Sequence, residues 1–164
     1  MRVLGLDPGL AIVGYGLLEV VGNRYRLLEY GTIQTDSSTS TDERLKIIYN
    51  ELKGIIDEYE PSEMAIEKLF HQKNSKTVIN VAQARGVEIL AAVNSDMRVY
   101  EYTPLQIKQA LTGYGRASKS QMQEAVKRVL NLDGIPKPDD AADALAIALC
   151  HSFTNKFKEE FRMR

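Results

Sequence analysis

The segment PDDAADALAIALC at residues 138–150 constrains the fold more than any other part of the chain. It reads as a helix from about Asp139 to Ser152. Small and apolar side chains occupy nearly every side of it, so it belongs in an interior. Asp143 lies within that run. A carboxylate carried into an apolar interior needs a compensating partner, yet no lysine or arginine lies within a turn of it. Asp140 projects from the same face, three residues earlier, whereas Asp139 lies roughly 100° away around the helix. Taken alone, Asp140 would also suit a helix N-terminus, where the macrodipole favours an anion.

Two further acids end apolar strands. RVLGLD at residues 2–7 reads as a buried strand closing on Asp7, with Pro8 and Gly9 marking a turn after it. MAIE at residues 64–67 closes in the same way on Glu67. Either acid could simply cap a turn or a neighbouring helix. If Asp7, Glu67, Asp140 and Asp143 converge, however, they repel one another unless a cation neutralises them. Oxygen ligands suit Mg²⁺ or Mn²⁺, and no cysteine–histidine cluster points to zinc. Such a site suits phosphoryl transfer, in which two ions activate a water and stabilise the leaving 3′-oxygen of a phosphodiester.

The remaining pattern gives the frame. Residues 12–20 and 24–35 alternate apolar and polar around a hairpin at Val21–Arg24, so the chain opens as a three-stranded antiparallel meander. A helix begins at Ser40 or Thr41 and carries Leu45, Ile48, Leu52, Ile55, Ile56 and Tyr59 at helical spacing to Pro61. Residues 70–76 are polar and loop-like. A helix from Thr77 to about Val93 has Val78, Ala82, Ile89 and Val93 along one side. Val78, Val81, Ala84, Val87, Leu90 and Ala91 make it apolar on more than one side, which suits a helix packed against its own sheet and a partner, or one simply buried between neighbours. Residues 97–101 form a short strand, Thr103–Pro104 opens a helix broken at Gly113–Gly115, and another helix runs from Ser118 to about Leu130. The order β-β-β-α-β-α-β-α-α-α describes an α/β fold, a mixed five-stranded sheet flanked by helices. Residues 1–154 form one domain, and the charged stretch 155–164 reads as a flexible tail.

Composition excludes several classes. A chain of 164 residues, 44% hydrophobic and 26% charged, folds around an ordinary core. Its single cysteine, Cys150, forms no internal disulfide, and no apolar run approaches a membrane span. Met1–Gly5 lacks the apolar stretch of a secretory signal, so a cytoplasmic protein without membrane partners is expected. The net charge of −1 conceals an asymmetry: residues 1–67 carry 6 basic against 12 acidic residues, and residues 68–128 carry 10 against 4. A basic surface facing a polyanion would have this pattern, as would a chance fluctuation in solvated charge.

VLGLDPGLAIVGYGLL, AIEKLF, VAQARGV, LQIKQALTGYG, KSQMQ and PKPDDAADALAIALCH, in that order over about residues 1–153, together resemble the RuvC family of bacterial Holliday junction resolvases. The resemblance implies an RNase H-like fold of the retroviral-integrase group. It also implies a homodimer that nicks two opposed strands of a four-way DNA junction, in cooperation with a RuvA–RuvB branch-migration complex. Asp7, Glu67, Asp140 and Asp143 match the family's catalytic acids, which bind Mg²⁺, two ions per site, with Mn²⁺ able to substitute. Asp139 has no catalytic counterpart. Lys108 and Lys119 match basic positions near the scissile phosphate, and Phe70 matches an aromatic set against bases at the crossover.

The residues themselves agree with less force. Lys108 and Lys119 fall in the basic segment, where phosphate contacts are natural, although each could be an ordinary exposed lysine. Phe70 could stack on an unpaired base or plug into the core. Lys73, Lys76, Arg85 and Arg116 are further candidate phosphate contacts, with Arg85 able instead to pair with an internal acid. Tyr102 and Tyr114 suit core packing or stacking on DNA. The rival readings are an RNase H-like nuclease acting on RNA (the YqgF type), an actin-like ATPase, and a DNA-architectural binder without catalysis. Actin-like architecture needs a second phosphate-loop domain, and a mere binder gains nothing from anions facing phosphates.

Overall fold

The computed structural model describes residues 1–69, 75–154 and 157–163, residues 75–77 by their backbone alone. Five strands, β1 (Arg2–Asp7), β2 (Ile12–Val21), β3 (Arg24–Gln34), β4 (Glu63–Glu67) and β5 (Arg98–Tyr102), form one sheet in the order β3-β2-β1-β4-β5. β1, β2 and β3 pair antiparallel, as the hairpin chemistry predicts, whereas β4 and β5 join parallel to β1. Each parallel step is bridged by a helix, α1 (Thr41–Tyr59) and then α2 (Ser75–Val93). Helices α3 (Pro104–Thr112), α4 (Lys119–Val129) and α5 (Asp139–Phe153) complete the chain. Thr103 and Ser118 open α3 and α4 with reciprocal capping boxes to Gln106 and Gln121.

The two-residue alternation of the strands divides the core. Leu4, Leu6, Met64 and Ile66 face α1 and α2, where they meet Ile48, Leu52, Ala84 and Ala91. Val3, Leu18, Ala65 and Tyr100 face the opposite side and meet Leu145, Ile147 and Val126. The result is a sheet between two helical layers. Helix α5 is buried nearly throughout, from Ala141 to Ser152. It lies directly on the backbone of β1 and β2. A methyl group added at Gly5 would collide with the Ala144 carbonyl, and one added at Gly14 with the Asp140 carbonyl.

Two expectations are corrected. The stripe of Val78, Ala82, Ile89 and Val93 is not one buried side of α2: the buried side is Ala84, Glu88, Ala91 and Ala92, whereas Ala82 and Val93 are exposed with Ile79 and Leu90. The charged C-terminal stretch, expected to be flexible, packs along β5 over residues 157–163. A 3₁₀ turn at Lys158–Phe161 leads to a bridge between Arg162 and Tyr100, and the Met163 N–H donates to the Val99 carbonyl. An unpaired edge strand is a template for more chain, and here the tail covers it.

Lys158 anchors that packing on a buried acid at the start of β4. Glu63 accepts from Lys158 Nζ at 2.7 Å and pairs with His151 Nε2 at 2.8 Å, and Arg98 lies 3.3 Å away. The other ring nitrogen of His151 meets the Tyr102 hydroxyl at 2.7 Å. Burial alone would raise the Glu63 pKa, but the bonds from His151 and Lys158 outweigh it and hold the carboxyl at about 2. A depressed acid stabilises the fold fully above its unfolded value of 4.5 and loses that contribution as pH falls toward 2. Glu63→Gln is therefore expected to lower stability by about 3–5 kcal/mol at neutral pH and to flatten the acid limb. Denaturant melts from pH 7 to pH 2 measure both effects.

Candidate active site

The alternation that turns Val3 and Gly5 toward α5 turns Asp7 the same way, and on β4 it turns Ala65 and Glu67 likewise. Because β1 and β4 run parallel in register, with Leu6 opposite Ile66, Asp7 and Glu67 stand side by side at the carboxyl ends of adjacent central strands. Gly14 pairs with Asp7 and lies beneath the Asp140 carbonyl, so the first turn of α5 sits over the same strand ends. The four acids picked out from the sequence are thereby brought to one place.

Their electrostatics bear the mark of that convergence. Burial, then Glu67, Asp143 and Asp140 in that order, push the Asp7 pKa up to about 7 against a smaller opposing pull from Lys119. Burial and Asp143 also raise Glu67, where Lys108 opposes them. Asp143 is raised by burial despite the opposing Lys119. Glu63, at the other end of the same strand, is held low by its bonds to His151 and Lys158, so the contrast between the two ends of β4 lies in compensation. Among the described residues no three carboxylate or imidazole groups form a ready-made metal cage. The donors are nevertheless all hard oxygens whose charge is only partly compensated, a set that fits a small divalent cation.

The rim is basic on one side. Lys108 of α3 and Lys119 of α4 line a cleft of about 230 Å³ with Glu67 and Asp143. Lys119 Nζ lies 3.4 Å from Asp143 and 3.2 Å from Asp139. The partner missing within a turn of Asp143 is thus supplied by another helix. On the far side of Asp7 a second cleft, of about 480 Å³, is lined by residues 8–12 with Arg44, Asn80 and Asp140.

The model of the crossover junction endodeoxyribonuclease RuvC family matches residues 3–151. A relative of that name from Finegoldia magna is 60% identical over 158 residues, which is 96% of each chain. One from Alkaliphilus oremlandii is 55% identical over the full length of both. The solved structure of T. thermophilus RuvC in complex with Holliday junction substrate superposes with a TM-score of 0.91 at 30% identity, covering 99% of this chain and all of that one. The chain belongs to the RuvC family. Its activity is that of a crossover junction endodeoxyribonuclease, which cuts phosphodiester bonds in DNA and resolves Holliday junctions. Yeast mitochondrial Ydc2, at a TM-score of 0.72 and 11% identity, shares the fold.

Within this RuvC-family chain, other expected residues divide. Arg116 is exposed and free to meet DNA. Arg85 takes its internal alternative: its guanidinium pairs with Glu101 at 2.8 Å and donates from Nε to the Glu67 carbonyl at 3.1 Å, bracing the strand end that carries a site acid. Tyr102 is core, whereas Tyr114 is more than half exposed at 57%. Phe70 and Lys73 lie outside the described residues, and the Lys76 side chain does too.

Two features of the site escaped sequence reasoning. The turn after Asp7 is tied to the end of β3: Thr35 Oγ1 donates to the Leu10 carbonyl at 2.6 Å and accepts from Arg44 Nε at 2.8 Å. Beneath that turn, Glu88 of α2 is fully buried, and neither carboxyl oxygen has a hydrogen-bond partner among the described residues. Burial, against the opposing Gly9 amide, carries its pKa to about 8, with Asp7 adding to the rise. The signal was available in Glu88's place on the inward side of an otherwise apolar stretch, VEILAA.

An acid whose folded pKa is raised costs stability above its unfolded pKa, and the cost grows as pH rises to the folded one. Without divalent cation, the protein is therefore expected to lose stability between about pH 4 and pH 8 through Asp7 and Glu88. Asp7→Asn should raise the Tm at pH 8 by about 3–8 °C and leave it unchanged below pH 4. Thermal melts across that range in EDTA test this, with no gain at pH 8 as the contrary result.

Proposed function

We propose that Asp7, Glu67, Asp140 and Asp143 are the catalytic carboxylates and hold the divalent cation, Mg²⁺ with Mn²⁺ as a substitute, at two ions per site. The observation that carries this reading is the crowding at Asp7, where burial and three further acids raise its pKa to about 7. Such a group is only about half ionised at neutral pH, and added positive charge beside it favours the fully ionised form. Ions held by these residues would supply the Lewis acidity that activates a water and stabilises the departing 3′-oxygen. The protein's own groups do the rest. The rigid strand ends fix Asp7 and Glu67, α5 fixes Asp140 and Asp143, and the Lys108 and Lys119 ammonium groups meet the non-bridging oxygens of the scissile phosphate from the rim. Arg116 and Lys76 extend the phosphate contacts, and Lys73 and Phe70 meet the junction near the crossover.

Paired cuts in opposed strands need two sites, and we infer a homodimer with twofold symmetry. Supporting this is the outer face of α2, where Ile79, Leu90 and Val93 are 58%, 51% and 54% exposed. Between them stands Gly86, whose missing side chain would meet nothing within 4 Å. An interior helical glycine costs about 1 kcal/mol relative to alanine. No contact among the described residues accounts for it, whereas the close approach of a second α2 would. A RuvA–RuvB branch-migration complex is the larger partner, and the cytoplasm the setting. No helix among the described residues is long and apolar enough to cross a membrane.

The test uses a labelled four-way junction and a linear duplex of the same sequence, with Mg²⁺ or EDTA. Paired nicks in the junction alone are expected, abolished by EDTA. Asp7→Asn should reduce cleavage at least about 1,000-fold with junction binding kept or strengthened, because a repulsive charge is lost. Cutting of RNA or of a hybrid in place of the junction would move the reading to the YqgF type, and binding without cutting to an architectural protein. Leu90→Asp should yield monomers in sedimentation and uncoupled single nicks; an intact dimer would remove α2 from the interface.

A further inference from the structure

Asp139 is the one acid of the PDDAAD segment without a part in the site described above, and it is the most heavily bonded of them. Its Oδ1 accepts from Gln123 Nε2 at 2.9 Å and from Lys137 Nζ at 3.2 Å. Its Oδ2 lies 3.2 Å from Lys119 Nζ, a shorter separation than the 3.4 Å from that ammonium to Asp143. Lys119 and Gln123 stand four residues apart on α4, one turn of one face, so two rungs of α4 converge on one carboxylate at the start of α5. A single exposed ion pair is worth little, but a carboxylate fixed by three donors is a network with a defined geometry.

The consequence lies with Lys119. Its side chain is long, rich in rotamers, and 55% exposed. With Asp143 as its only anion it would settle on a carboxylate that the cation needs. Asp139 offers a second anchor on the outer side of the same helix, outside the crowd of acids at Asp7.

We propose that Asp139 is a positioning residue for Lys119: it shares the ammonium with Asp143 and holds it at the rim, where it meets the scissile phosphate. The proposal rests on the reading of Lys119 as a phosphate contact. It makes Asp139 improve junction binding even though its own charge repels DNA. Gln123 and Lys137 belong to the device because they stop Asp139 from following Lys119 toward the site.

The test is a double-mutant cycle on the full-length protein with Asp139→Asn, Lys119→Ala and their combination. Junction affinity is measured in EDTA and single-turnover cleavage across a Mg²⁺ titration. Asp139→Asn is expected to weaken binding about 3-fold and to raise the Mg²⁺ concentration for half-maximal cleavage by a similar factor. In the Lys119→Ala background the same substitution should cost nothing, or tighten binding slightly, which is the coupling expected of residues in direct contact. Lys108→Ala combined with Asp139→Asn should instead be additive. Equal effects of Asp139→Asn with and without Lys119 would overturn the proposal and leave Asp139 as a helix-terminal acid. Normal binding and cleavage by Lys119→Ala would overturn the Lys119 reading and the proposal with it. Asp139→Ser, which keeps a good helix start, repeats the cycle if the asparagine variant lowers the Tm.

Discussion

Helix α5 meets the backbones of β1 and β2 directly at Gly5 and Gly14, and this contact sets the position of everything else in the site. Gly5 and Gly14 leave room for nothing larger than hydrogen against the carbonyls of Ala144 and Asp140. The alanines on the facing side of α5 serve the same end. Close approach brings the first turn of the helix over the carboxyl ends of the central strands, within electrostatic reach of Asp7. A bulkier residue at either glycine would lift α5 off the sheet and carry Asp140 and Asp143 away from their partners. Packing that reads as ordinary core construction therefore fixes the spacing of the acids proposed to be catalytic.

The two ends of α5 and β4 handle buried charge in opposite ways. At one end Glu63 is enclosed by His151, Lys158 and Arg98, and its pKa falls to about 2. That end is structural, and it seats the C-terminal stretch on the sheet edge. At the other end Asp7, Glu67 and Asp143 have only the rim ammonium groups of Lys108 and Lys119 to oppose them and are all raised. The fold thus carries an electrostatic debt at one end that a cation and a phosphate-bearing substrate are suited to discharge. Glu88 adds to it from beneath, as a buried carboxyl with neither oxygen hydrogen-bonded among the described residues. Stability given up at a site of this kind is a common correlate of function.

Much of the frame was legible in the residues because it depends on local rules. Period-two alternation marked β2 and β3, proline and glycine marked the ends of α1 and α3, and Ser118 marked the start of α4. The inward side of α2 was misjudged because alanine and valine stand all round that helix. Periodicity alone could not tell which stripe met the sheet, and the buried Glu88 cut across the pattern. The C-terminal stretch was misjudged for a related reason. Its charges look like solvent exposure, yet Lys158 belongs to an acid 95 residues earlier in the chain.

By itself the sequence determined the elements, their order, the four acids at strand ends and on the final helix, and the family, since each is written in local spacing or in motifs that keep their order along the chain. Only the tertiary structure decided which charges meet. Lys119 reaches Asp139 and Asp143 from another helix, Arg85 turns inward to Glu101, and Glu63 gathers partners from β5, α5 and the C-terminal stretch. Ion pairs between distant segments follow from how helices cross the sheet, and no local pattern encodes that crossing. The pKa of a carboxylate follows in turn from what the crossing places beside it.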